Sequence, residues 1–187
     1  MDVSLYHKTF DSFLSRLPLK KAELLEVACG PGNITKYLLS QNSELKITGT
    51  DLAPQMIEIA KQHNPTASFK LLDAREIKSL GKKFHGILCG FCFPYFSKEE
   101  ALKFIHDASS VLLDNGVIYI STMEDDYSKS GPKKGSQGDE IFMHFHEAAY
   151  LTEELLKNGF TNIDTHRLES KGTDGLTYTD LVLIAKK

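Results

Sequence analysis

The chain has 187 residues, 41% of them apolar and 25% charged, which is enough to bury one core and short for two. Its net charge of -3 excludes the broad positive field that draws a protein to nucleic acid or anionic membranes, and favours a small or neutral partner. No apolar run reaches the length of a membrane span, the opening MDVSLYHKTF lacks the regions of a signal peptide, and an odd count of three cysteines does not make a secreted scaffold, so the expected compartment is the cytoplasm.

Apolar runs then alternate with helical patterns. ELLEVA reads as a strand, ITKYLLSQ as a helix, LKITGTD as a strand, PQMIEIAKQH as a helix with Pro54 in its first turn, and SFKLL as a strand. FHGILCGF is a further strand, SKEEALKFIHDASSVL a helix capped by Ser97, and GVIYIST a strand behind the turn DNG. The helix TEELLKNGF and two strand-like runs, TNIDTHRLES and TYTDLVLIAKK, follow. No repeat and no shift in composition marks a boundary, so a single domain over residues 1–187 is expected. Strands apolar on both faces and separated by helices imply a parallel sheet covered on two sides, with its ligand beyond the carboxyl ends of the strands.

One such end carries LLEVACGPGN. A tight turn with Gly30 and Gly32, and a helix opening near Asn33, gather unpaired backbone N–H groups that suit an anion, a carboxylate or a polar cofactor group. Asp51 ends the next strand about twenty residues on, a pairing that nicotinamide-dependent oxidoreductases also use. Their G-x-G-x-x-G fingerprint needs a third glycine, whereas Gly32 is followed by Asn33, Ile34 and Thr35. The spacing favours a cofactor without a pyrophosphate.

Four ordered segments, LEVACGPG, ITGTDLAPQMIEIAKQ, FKLLDARE and VLLDNGVIYIS, resemble successive motifs of the class I S-adenosylmethionine-dependent methyltransferases, and the resemblance covers nearly the whole chain. It implies an α/β fold, a Rossmann-like three-layer αβα sandwich with a mostly parallel seven-stranded sheet whose last strand is antiparallel. The implied cofactor is S-adenosylmethionine, leaving as S-adenosylhomocysteine. By the same resemblance Gly30 and Gly32 let the backbone approach the cofactor, Ala28 stands where many members carry glycine, and Glu26 helps hold the methionine amino end. Asp51 would accept the ribose hydroxyls, Leu52 and Met56 would pack on adenine, Asp73 would accept from the adenine amino group, and Ala74 would offer its N–H to the ring. SLYHKTFDSFL resembles the family's N-terminal helix, a lid over residues 1–20 with Tyr6 as its cofactor contact.

The run CGFCFPYFS ends the fourth strand, where the methyl acceptor is expected. Cys89 and Cys92 have C-x-x-C spacing but lack the helix N-terminus that lowers a redox thiol's pKa; Cys89 is assigned to the cofactor crevice. Phe93-Pro94-Tyr95 partly resembles the N-P-P-Y signature of amino-group methyltransferases, without its leading Asn or Asp, which leaves an aromatic wall with Tyr95 as a hydrogen-bond donor. Residues 124–147 form a segment rich in Gly, Ser, Lys and Asp, expected as an acceptor-side lid. Within it His144 and His146 share a face if the chain is extended, and His146, beside Glu147, is the favoured base, with a surface or packing role as the alternative. His-x-His-Glu lacks a further ligand, so no metal is expected. The basic cluster of Lys129, Lys133 and Lys134 is interspersed with acids, and nucleic acid is not an expected partner. The expected function is methyl transfer to a small-molecule acceptor by in-line displacement. The alternatives are a regulatory protein that binds the cofactor without transfer, and a nicotinamide-dependent oxidoreductase.

Overall fold

Strand β1 (Glu23–Val27) shows why the chain folds as layers. Leu24 faces one apolar cluster while Leu25 and Val27 face another, so the period-two alternation of a strand feeds two cores at once. The same division recurs in β4 (Phe84–Cys89) and β5 (Leu112–Glu124), while β2 (Lys46–Asp51) gives Ile47 to one of these clusters and β3 (Ser68–Leu71) gives Phe69 to a third; the five strands pair in parallel, with β1 between β2 and β4. Two long strands, β8 (Thr161–Lys171) and β9 (Thr177–Lys186), complete a seven-stranded sheet in the order β3-β2-β1-β4-β5-β9-β8. β9 runs antiparallel to both β5 and β8. The expected mostly parallel sheet with an antiparallel last strand is therefore present. A separate hairpin pairs β6 (Gly131–Lys134) with β7 (Glu140–Met143). The structure, a computed structural model, describes residues 2–134, 140–171 and 175–187.

Helices α1 (His7–Ser15) and α2 (Asn33–Gln41) cover one face of the sheet, and α4 (Lys98–Val111) and α5 (Ala148–Lys157) the other. Helix α3 (Pro54–His63) lies on β2 and β3, with Pro54 at its first position, where a missing N–H is harmless. Ser97 caps α4 in a reciprocal box: its Oγ accepts from Glu100 N at 3.2 Å, and Glu100 Oε2 accepts from Ser97 N at 2.8 Å.

The N-terminal segment differs from the expected lid. Phe10 and Phe13 of α1 are fully buried, in tilted and edge contact with Tyr119 of β5, and burial of each such ring stabilises by about 1.5–3 kcal/mol. Helix α1 is a core layer for that reason, and the 3-10 turn before it, Ser4–Tyr6, meets the crevice only from behind, through Tyr6 against Phe91. Also unforeseen are the 3-10 helices Ala74–Leu80 and Phe93–Tyr95, since such short elements carry no 3.6-residue apolar period.

Candidate functional site

The turn between β1 and α2 is built from left-handed backbone. Ala28, Gly30 and Gly32 have φ of 54°, 53° and 80°. A Cβ on Gly30 would meet open space, so its bare backbone faces the crevice. Gly32 serves another purpose than the one expected. A Cβ there would fall 2.4 Å from Asn64 Nδ2 and 3.3 Å from the Ala60 Cβ, so glycine is required for the turn to seat on α3, where Asn64 Nδ2 donates to Gly32 O at 3.0 Å. Gly32 does not line the crevice. Ala28 does, and its side chain strains the left-handed conformation by about 1–2 kcal/mol relative to glycine.

Asp51 clamps this turn to the end of β2. Its Oδ2 accepts from Gly30 N at 2.8 Å and its Oδ1 from Ala53 N at 2.9 Å, which leaves each oxygen further acceptor capacity. Asp73, just beyond β3, caps the following 3-10 helix by accepting from Arg75 N at 2.8 Å, and its carboxylate lies 3.1 Å from Arg75 Nη1. Arg75 in turn meets Glu100 through Nε at 2.6 Å and sits over the Phe96 ring, 5.4 Å from its centroid. These partly exposed pairs stabilise little, but they fix the direction of Asp73.

The three strand ends open on one crevice of about 390 Å³. Ala28 and Gly30 come from the first end, Asp51 and Leu52 from the second, and Asp73, Ala74 and Arg75 from the third. The exit of β4 adds Phe91, Cys92, Tyr95 and Phe96 as an apolar wall.

Glu26 lies behind the turn, just outside the crevice lining, and is 1% exposed. Thr35 Oγ1 donates to its Oε2, while Oε1 has no partner among the described residues. Burial pushes the carboxyl up to about 8, with the Asp51 charge adding to the effect.

Several expected site residues sit elsewhere. Met56, half-buried on α3, is outside the crevice lining. Cys89, the last residue of β4, is fully buried in the core and likewise does not line it; burial and the neighbouring Cys92 thiol hold the Cys89 thiol well above its ordinary pKa, and it is Cys92 that reaches the wall. Tyr6 is buried, with its hydroxyl donating to Asp180 Oδ2 at 2.5 Å and its ring edge-on to Phe91 at 4.6 Å, so it braces the wall from behind. Tyr95 stands half exposed at the crevice.

His146 requires the clearest correction. It is 0% exposed, lies outside the crevice lining, donates from Nε2 to Phe93 O at 2.9 Å, and pairs Nδ1 with the Tyr150 hydroxyl. A carbonyl on one nitrogen and a phenol on the other suit the neutral ring, and burial pushes the pKa down to about 4. The adjacent Glu147 does not raise it, because the imidazole turns inward. His144 stacks on Tyr127 at 5.8 Å and has that hydroxyl 3.3 Å from Nδ1, also away from the crevice lining. Residues 135–139 of the expected lid, and the side chain of Lys134, lie outside the described part. Of the other basic residues there, Lys129 pairs with Asp125 at 2.7 Å, and Lys133 lies 5.8 Å from the Phe145 ring centroid.

Among the described residues no group of three or more His, Cys, Asp or Glu is placed to hold a metal ion, and no helix is long and apolar enough to cross a membrane. Sequence reasoning missed Arg75, Thr35, Asn64 and Phe91. An Arg two residues after a helix-capping Asp was a readable sign for Arg75; the other three become visible only when α2, α3 and β5 are folded together.

The arrangement defines a Rossmann-like cofactor crevice, and comparison with known proteins agrees. Residues 24–116 match the family model described as a methyltransferase domain. The putative methyltransferase 235L of Invertebrate iridescent virus 6 is 27% identical over 110 residues, covering 58% of this chain and 40% of that protein. Trans-aconitate 2-methyltransferase of Delftia acidovorans is 41% identical over 61 residues, 32% of this chain and 23% of that protein. The chain thus spans less than half the length of these relatives. A SAM-dependent methyltransferase structure from Methanosarcina mazei shares the fold, with a TM-score of 0.78 at 18% identity over 93% of this chain and 96% of that one. Residues 24–116 thus match a methyltransferase domain, and the chain has the fold of S-adenosylmethionine-dependent methyltransferases.

Proposed function

We propose that the chain binds S-adenosylmethionine in this crevice and transfers its methyl group to a small-molecule acceptor, as one cytoplasmic domain that does not take nucleic acid as partner. One observation carries the reading: a glycine turn and two carboxylates, at the ends of β1, β2 and β3, converge on one crevice of about 390 Å³. Asp51 retains the lone pairs to accept ribose hydroxyls while it holds Gly30, and Leu52 covers the adenine edge. Asp73, aimed by Arg75, accepts from the adenine amino group, and Ala74 offers its N–H. Glu26 has an unpartnered buried oxygen for the amino end of the methionine tail. That relatives include a trans-aconitate methyltransferase supports a small acceptor.

The bound sulfonium supplies an activated methyl group to an O, N, S or C nucleophile in line with it. What the chain supplies is alignment and dryness. Phe91, Tyr95 and Phe96 wall the acceptor side, and such positioning contributes up to roughly 7–11 kcal/mol to a bimolecular transfer. Among the described residues no imidazole lines the crevice, so the acceptor's own nucleophilicity drives the step.

Calorimetric titration checks it: S-adenosylhomocysteine binds and NAD does not. Tight binding of NAD without a response to S-adenosylhomocysteine would sink the methyltransferase reading in favour of an oxidoreductase.

A further inference from the structure

Glu26 is held differently from the other carboxylates of the site. Asp51 accepts two backbone N–H bonds and Asp73 faces a guanidinium, whereas Glu26 is held by buried Thr35, through its hydroxyl and its backbone, and keeps Oε1 unpartnered among the described residues. Among the described residues the elements around it bring no cation. β2 contributes Asp51 and Thr50, whose Oγ1 lies 3.4 Å from the Glu26 carbonyl oxygen; β4 sets Leu88 beside it; α2 gives Thr35; and the turn gives Cys29. The titratable neighbours, Asp51 and Cys29, are both acids. An ionised carboxylate so enclosed needs a positive partner, and a neutral acid does not.

We propose that burial keeps Glu26 a neutral acid in the cofactor-free protein, with Thr35 fixing which oxygen carries the proton, and that the ammonium group of the cofactor's amino-acid tail takes the place of that proton, which leaves to solvent. Binding is then an exchange of one cation for another. The inference rests on the S-adenosylmethionine reading of the crevice. With Thr35 Oγ1 donating to Oε2, the proton resides on Oε1, the oxygen without a protein partner and the one an ammonium would approach. Burial and the Asp51 charge, which raise the carboxyl to about 8, are consistent with a proton held at neutral pH. Thr35 is a positioning residue in this scheme: it fixes which oxygen is free and stabilises the carboxylate once the proton has gone.

The exchange is read by titration calorimetry with S-adenosylhomocysteine, which keeps the amino-acid tail, in phosphate and in Tris. The ligand's own amine titrates near pH 8, so the range runs from about pH 6 to about pH 7.5 and Glu26→Gln is the reference. The wild-type protein is expected to release about one proton per ligand bound near pH 7, with affinity rising roughly tenfold per pH unit. Glu26→Gln should bind more weakly, release none and show a flat profile. Thr35→Val should lower affinity at pH 7 about tenfold and push the steep range to higher pH, and Thr35→Ser should restore both. Binding to the wild-type protein with no proton release and a flat profile overturns the exchange while leaving the methyltransferase reading intact. No binding at any pH overturns both. A Thr35→Val profile identical to wild type removes Thr35 from the scheme.

Discussion

Asp51→Ala weakens S-adenosylhomocysteine binding by about 3 kcal/mol, more than a hundredfold, when measured by calorimetry at neutral pH. Two losses add up. The ribose hydroxyls lose a charged acceptor, and Gly30 and Ala53 lose the carboxylate that holds their N–H groups at 2.8 and 2.9 Å, so the turn no longer presents its backbone to the ligand. Asp51→Asn separates the two. Its amide oxygen keeps one of the backbone bonds, while its NH2 group faces an N–H it cannot accept, so an intermediate loss of about 1.5 kcal/mol is expected. An Asp51→Ala protein that binds as tightly as wild type would show that the β2 end does not touch the ribose.

His146→Ala destabilises the fold by about 2–4 kcal/mol in chemical denaturation at pH 7, because it empties a buried site and leaves the Phe93 carbonyl and the Tyr150 hydroxyl without their partner. The histidine also makes the protein acid-sensitive. Its pKa falls from 6.5 to about 4 on folding, so as pH drops the unfolded chain takes up a proton that the folded chain refuses. The stabilising effect is fully present above about pH 6.5 and is lost towards pH 4, a difference of roughly 3 kcal/mol from this one group. Comparing wild type with His146→Ala over that interval isolates the contribution, since the variant lacks it. A variant as stable as wild type but slow in methyl transfer would instead make His146 a base.

The two residues show what the sequence conveys and what it withholds. Asp51 was legible because a strand end, a glycine turn and the spacing between them are local features, and local features also gave α3 its proline start and α4 its Ser97 cap. The bare backbone of Gly30 faces the crevice, whereas Gly32 is constrained by Asn64, thirty-two residues away at the end of another helix, which no local feature shows. His146 misled because adjacency to Glu147 is visible in sequence and the inward turn of its ring is not; that turn depends on Phe93 and Tyr150, brought together only by the packed sheet and α5. Tyr6 was placed near the site by resemblance, yet Asp180, its hydroxyl partner, comes from the far end of the chain. Glu26 was recognised as an acid of the site, but its lack of a cation and its bond to Thr35 emerge from burial alone.

The central claim, that the ends of β1, β2 and β3 jointly hold S-adenosylmethionine, is tested most directly by a crystal structure of the protein with S-adenosylhomocysteine. The ribose hydroxyls are expected on the Asp51 carboxylate, the adenine amino group on Asp73 with Leu52 against the ring, and the amino end of the tail on Glu26 Oε1, with the sulfur facing the wall of Phe91 and Tyr95. A ligand seated elsewhere, or one whose ribose leaves Asp51 bonded only to Gly30 and Ala53, would contradict it.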